Sequence, residues 1–154
     1  MPTHGIDVNI FLTASSYPKS QDDWRSVFIR HMAGSLARHP DIELDIYAPP
    51  GSLPPRVRSV VPASDKLWLD QLMDNGGVAH LLRTRPVHGL YWGVRLSYGL
   101  HQAYRRQSHS QVFHVNWLQC ALFIPDKQHT PLVVTVLGSD FSLLKYAMIV
   151  KRLR

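Results

Sequence analysis

Two hydrophobic periods take turns along this 154-residue chain, and that alternation restricts the fold more than any single motif does. Residues 6–12 (IDVNIFL) are β-rich and mostly apolar, which predicts a first strand. Residues 24–39 follow with Phe28, Met32 and Leu36 at i, i+4 and i+8, beside Val27 and Ala33. That spacing places one apolar stripe on a helix, and Pro40 stops it. Residues 42–48 (IELDIYA) alternate again and predict a second strand. Strand, helix, strand with glycine-containing turns at strand ends is the pattern of βαβ units. The expected fold class is therefore α/β: one open, mainly parallel twisted sheet with helices on both faces.

The rest of the chain extends the pattern. A polar loop over 15–23 contains Pro18, and Asp22 or Asp23 is placed to cap the first helix through its carboxylate. Pro49, Pro50, Gly51, Pro54 and Pro55 mark a stiff loop. Residues 57–61 predict a short strand and 64–73 a helix capped by Ser64, with Leu67, Trp68 and Leu72 on its apolar side. Asn75, Gly76 and Gly77 end that helix. A long helix is expected over 88–106, with Trp92, Leu96, Leu100 and Ala103 on one stripe; Gly89 and Gly93 weaken it or let it pack close to a neighbour. Residues 111–115 predict a strand. The run 131–136 (PLVVTV) is continuously apolar and β-branched, as in a strand covered on both faces. Gly138, Ser139 and Asp140 then turn the chain into a last helix over 141–153.

One domain of ordinary size is expected, because a chain of this length buries enough surface for a single core. The apolar content of 45% and charged content of 18% exclude the disordered class. No run nears the roughly 20 apolar residues needed to span a bilayer, and the first residues lack the basic and apolar regions of a signal peptide. Cys120 is the single cysteine, so no internal disulfide can form and a reducing, cytoplasmic setting is expected. Its apolar surroundings suit a small buried hydrophobe better than a nucleophile.

The net charge is +6, and its distribution says more than its sum. Residues 75–125 hold no acidic side chain, but they hold Arg83, Arg85, Arg95, Arg105 and Arg106 and several histidines. This predicts a positive face that either attracts an anionic ligand or surface or only aids solubility. A pI of about 9.8 also raises nucleic-acid binding, but no RNP, zinc-finger or helix-turn-helix signature accompanies it, and no nucleic-acid partner is expected.

In parallel sheets ligands gather at the carboxyl ends of strands, which singles out the loops 13–23, 116–118 and 137–140. The first precedes a helix N-terminus, where Ser15, Ser16 and Lys19 could donate to a phosphate, although Asp22 and Asp23 would repel one. A capped loop with no ligand is the alternative. At the second, His114 and Asn116 share a strand face and could bind sugar hydroxyls, with Trp117 stacking on a pyranose ring. His114 could equally be a satisfied core histidine. At the third, Asp140 either caps the last helix or accepts from a hydroxylated ligand. No metal site is expected, since the nine histidines are scattered without ligand spacing. No GxSxG elbow or Cys/His signature supports a hydrolase.

Residues 111–141, QVFHVNWLQCALFIPDKQHTPLVVTVLGSDF, resemble the N-terminal domain of GT-B glycosyltransferases of the retaining family 4 (group 1) type, whose members read like HxHWL and then PLVVTVHGSD. Residues 16–36 are similar to that family's first loop and helix. The resemblance implies two Rossmann-like domains facing a cleft, with an acceptor-binding half corresponding to residues 1–154 and a C-terminal half holding a UDP- or GDP-sugar. It implies no cofactor or metal on this half. By position, His114 and Asn116 match the two histidines of HxH near the reacting centre. Trp117, Gly138, Ser139 and Asp140 fall on the acceptor side, and Ser15, Ser16 and Lys19 on the loop approaching the donor phosphates. Asn116 and Leu137 stand where the family has histidine, and Asp22 and Asp23 where it usually has a glycine pair. The implied partners are the donor-binding domain and a sugar acceptor, with the isolated chain inactive; the basic, acid-free stretch would suit a lipid-linked or phosphate-bearing acceptor or an anionic membrane surface, here the inner face. A non-catalytic binding module of the same fold is the alternative.

Overall fold

The computed structural model describes residues 8–126, 129–136 and 138. Five strands form one sheet: β1 (Val8–Thr13), β2 (Ile42–Tyr47), β3 (Val57–Ser59), β4 (Val112–Asn116) and β5 (Leu132–Thr135). Their order is β3-β2-β1-β4-β5, and every neighbouring pair is parallel. The α/β expectation is met, with a Rossmann-like open sheet between helical layers.

Side-chain alternation divides the two layers. Ile10, Leu12, Leu44 and Ile46 face α1 (Val27–Ala37), where Ile29 and Ala33 are buried against them. Phe11, Tyr47, Phe113 and Val115 face the other way. There they meet α2 (Ala63–Asp74), α3 (Gly77–Thr84), α4 (Pro86–Arg106) and a 3-10 segment, Leu118–Phe123. Phe11 sits edge-on to Tyr104 and Phe113, with ring centroids 5.6 and 5.7 Å away. Fully burying side chains such as Leu69, Leu72 and Leu100 stabilises the fold by about 1.5–3 kcal/mol each.

Several local expectations are corrected. Neither Asp22 nor Asp23 caps α1: the residue before it is Ser26, at φ 54°, and no side chain caps the helix. Asp23 instead accepts from the backbone N–H groups of Lys19 and Arg25, so it folds the loop onto itself. The buried line of α1 runs Ile29, Ala33, Ala37, one residue beyond the predicted stripe, while Phe28 is exposed and Met32 and Leu36 are half-buried. Ser64 is likewise no cap, because α2 follows Pro62 and the Ser64 hydroxyl donates to Asp65. Leu67 faces solvent, and Leu69 takes its expected place in the core. The Gly-Gly turn opens a further helix, α3, that periodicity did not reveal. β5 is an edge strand with Leu132 and Val133 exposed, so it is not covered on both faces. The predicted last helix lies outside the described residues.

Gly89 explains how α3 and α4 fit. A Cβ there would collide with the backbone of Leu81 and Leu82, so the glycine lets the two helices touch.

Candidate functional site

The chain runs outward from β1 through β2 to β3, then returns to lay β4 and β5 on the other side of β1. The carboxyl ends of β1 and β4 therefore form the topological switch point, where connections depart in opposite directions and open a crevice. The loops after β1 and β4 and the carboxyl end of β5 share this rim because all three strands point the same way.

On the β2 side the rim is filled. Tyr17 is buried, its hydroxyl donates to the Ser52 carbonyl at 3.4 Å, and burial pushes that hydroxyl up to about 12. A Cβ on Gly51 would collide with the Pro18 carbonyl, so the proline loop is packed directly on the first loop.

On the β4 side the rim presents side chains. Ser26 Oγ donates to Ser16 Oγ at 2.8 Å, which ties the first loop to the start of α1. Two residues on, Phe28 meets the Trp117 ring edge-on with centroids 6.0 Å apart. Trp117 is half-buried and sits at φ 67°, a backbone region that L-residues enter only at a cost. Ser15 is also half-buried on this loop. Hydroxyls and a half-buried indole, packed against both core clusters, are thus brought to the β4 side of the rim by different elements.

The other predicted residues behave differently. Asn116 is fully buried, and its Nδ2 donates to the Thr13 carbonyl at 3.3 Å. Its Oδ1 has no partner among the described residues. His114 shares its sheet face with Asn116 as expected, but its Nε2 is bonded to Thr135 Oγ1 at 2.9 Å across β4 and β5. Burial lowers the His114 pKa, so the ring is held neutral to a lower pH than a free imidazole. Asn116 has no basic group, and the His114 Nε2 is engaged by Thr135. Lys19 does not present a free ammonium either: it pairs with Asp70 at 2.9 Å and with Asp74 at 2.5 Å on α2, and both partners raise its pKa. Arg25 holds the Asp23 carboxyl down to about 2, keeping a fixed negative charge beside Lys19. These two features leave the first loop poorly suited to a phosphate. Gly138 is exposed at φ 50°. Ser139, Asp140 and Leu137 lie outside the described residues. Cys120 is buried.

Three contributors were missed from sequence. Ser26 and Phe28 fell inside the predicted helix, Phe28 on its core stripe. Thr135 fell in an apolar run. No local signal marks them, since their roles come from the β4/β5 register and the late start of α1.

No protein-family model matches the chain, and neither a curated protein nor a solved structure does.

Proposed function

We propose that the domain binds a hydroxylated sugar acceptor at the β1/β4 crevice, as the acceptor-side half of a two-domain retaining glycosyltransferase. One observation carries the reading: the Ser16–Ser26 hydroxyl pair and the Trp117–Phe28 aromatic pair flank the switch point together. Hydroxyls can exchange hydrogen bonds with a pyranose rim, and an indole can cover its apolar face. In this reading Asn116 and His114 are positioning residues. Asn116 ties β4 to β1, and His114 ties it to β5, so both fix where Trp117 sits. The UDP- or GDP-sugar would be held by the partner domain, and this half alone would transfer nothing.

A second reading, a non-catalytic sugar-binding module of the same fold, is favoured by the bonding of His114 Nε2 to Thr135 and the burial of Asn116, which engage both side chains in holding the sheet.

Saturation-transfer NMR with a panel of methyl glycosides, UDP-glucose and GDP-mannose tests the binding claim. Glycosides are expected to show transfer that Trp117→Ala abolishes, and the nucleotide-sugars none. Nucleotide-sugar binding without glycoside binding would overturn the acceptor assignment. Sugar transfer by this chain alone, assayed with the same donors, would refute the non-catalytic reading.

A further inference from the structure

Helix α4 has two apolar faces, and only one meets the core. Leu96, Leu100, Ala103 and Tyr104 are buried. Val87, Leu90, Tyr91, Val94 and Tyr98 lie on another side, each 59–80% exposed. Steps of three and four residues hold these five within an arc of about 100° over a length of roughly 16 Å. Single exposed apolar residues are ordinary, but a continuous ridge of this kind marks a contact surface.

The charges around the ridge say what it contacts. Arg83 and Arg85 precede it, Arg105 and Arg106 follow it, and all four are exposed. Arg105 falls at the same azimuth as Val87, five turns on. Arg95 stands apart from this set, because its guanidinium lies 4.8 Å from the Trp68 ring centroid. No acidic residue occurs between Asn75 and Pro125. A second copy of the chain would set two positive surfaces against each other, so the partner is anionic. A nucleic acid would meet the arginines but would leave Val87, Leu90 and Val94 against phosphate. A ridge projecting from a helix, with cations at both ends and tyrosines among its apolar residues, matches a surface that is negative outside and apolar just beneath. No helix among the described residues is long and apolar enough to cross a membrane.

We propose that α4 lies along an anionic lipid bilayer, with the ridge from Val87 to Tyr98 at the boundary of headgroups and acyl chains and the flanking arginines on lipid phosphates. This does not rest on the sugar-binding reading, which concerns the rim of the sheet.

Co-sedimentation of the chain with vesicles tests it, using phosphatidylcholine alone and phosphatidylcholine mixed with phosphatidylglycerol. The wild-type chain is expected to bind only the mixed vesicles and to release as salt rises. Leu90→Ser/Val94→Ser/Tyr98→Ser should lose binding, and Arg83→Gln/Arg85→Gln should weaken it roughly thirtyfold. All these side chains are exposed, so both variants should keep the wild-type circular dichroism spectrum. Absence of wild-type binding to the mixed vesicles, or full binding by the serine variant, overturns the proposal. So does a wild-type dimer in light scattering that the serine substitutions make monomeric, or retention on DNA that mixed vesicles fail to compete.

Discussion

The Asn116 amide donates to the Thr13 carbonyl at 3.3 Å, joining the last residue of β4 to the last residue of β1 across the switch point. The link continues beyond them. Thr13 Oγ1 and the Tyr104 hydroxyl lie 2.8 Å apart, and Tyr104 donates to the Cys120 carbonyl at 3.2 Å. Sheet, helix α4 and the 3-10 segment are thus pinned at one place, and the Trp117 backbone begins there.

Asn116→Ala removes this link and leaves a small void where nothing is exposed to solvent. A lost buried hydrogen bond and a modest cavity together should cost about 2 kcal/mol. Thermal unfolding should show it as a fall of roughly 4–8 °C for a domain of this size. An unchanged melting temperature would show that the amide does not hold the two strands.

Gly89 and Gly93 make opposite predictions from the same substitution. Alanine normally gains about 1 kcal/mol over glycine inside a helix. At Gly93 the added methyl would meet only Val78 Cγ1 at 3.4 Å, so Gly93→Ala should stabilise by about 0.5–1 kcal/mol. At Gly89 the methyl would strike the α3 backbone, and Gly89→Ala should destabilise by about 2 kcal/mol. Urea denaturation of the pair reads both signs.

The contrast shows what was legible in the sequence. The strands could be read because their apolar runs are local, and the sheet's parallel order followed from their alternation with helices. The line of contact on α1 could not be read from side-chain size: Ala33 and Ala37 are small, so they let the helix sit closest to the sheet, and the larger Phe28 is pushed outward. α3 was hidden by Gly77, whose φ of 79° starts a helix where a glycine pair ordinarily ends one. At the site, the rim was legible from topology alone. The engagement of His114, Asn116 and Lys19 was not, because their partners Thr135, Thr13, Asp70 and Asp74 are chosen by tertiary register and by the docking of α2.

Asp45 is buried in the sheet and takes two bonds from Arg58, Nε to Oδ1 at 2.7 Å and Nη2 to Oδ2 at 2.8 Å. Arg58→Met leaves that carboxylate without its cation. Removing one member of a fully buried pair costs about 3–5 kcal/mol, but Arg58 is largely exposed and water replaces part of the interaction. A loss of about 1–3 kcal/mol is expected in denaturant titration. Asp45→Asn/Arg58→Met should recover part of it, which a double-mutant cycle measures.

His114 makes the fold sensitive to mild acid. Its native pKa is lowered by burial from the ordinary 6.5, so the unfolded chain binds a proton first as pH falls. Between about 6.5 and the lowered native value, the unfolded state holds more protons than the native one, and stability declines with falling pH. Above that window the ring is neutral in both states and contributes nothing. His114→Gln should therefore flatten the pH dependence of unfolding free energy within the window, and above it the difference between wild type and variant should settle to a constant set by the lost bond to Thr135. A difference that stays the same across the window would show that titration of the ring contributes nothing.

Trp117 combines a strained backbone with the ring that the sugar-binding reading needs. Its φ of 67° and ψ of 125° are costly for any residue with a Cβ, by about 1–3 kcal/mol. Trp117→Ala and Trp117→Gly both delete the ring and its edge contact with Phe28, so their difference isolates the backbone. Glycine ordinarily loses to alanine by about 0.4–1 kcal/mol through the entropy of the unfolded chain. Here the order should reverse, with Trp117→Gly the more stable by about 1 kcal/mol in urea denaturation. Both variants should fail to bind glycosides in saturation-transfer NMR, since the indole face is gone from each. If Trp117→Gly proved more stable yet kept glycoside binding, the strained backbone would stand and the indole would lose its role as the sugar platform.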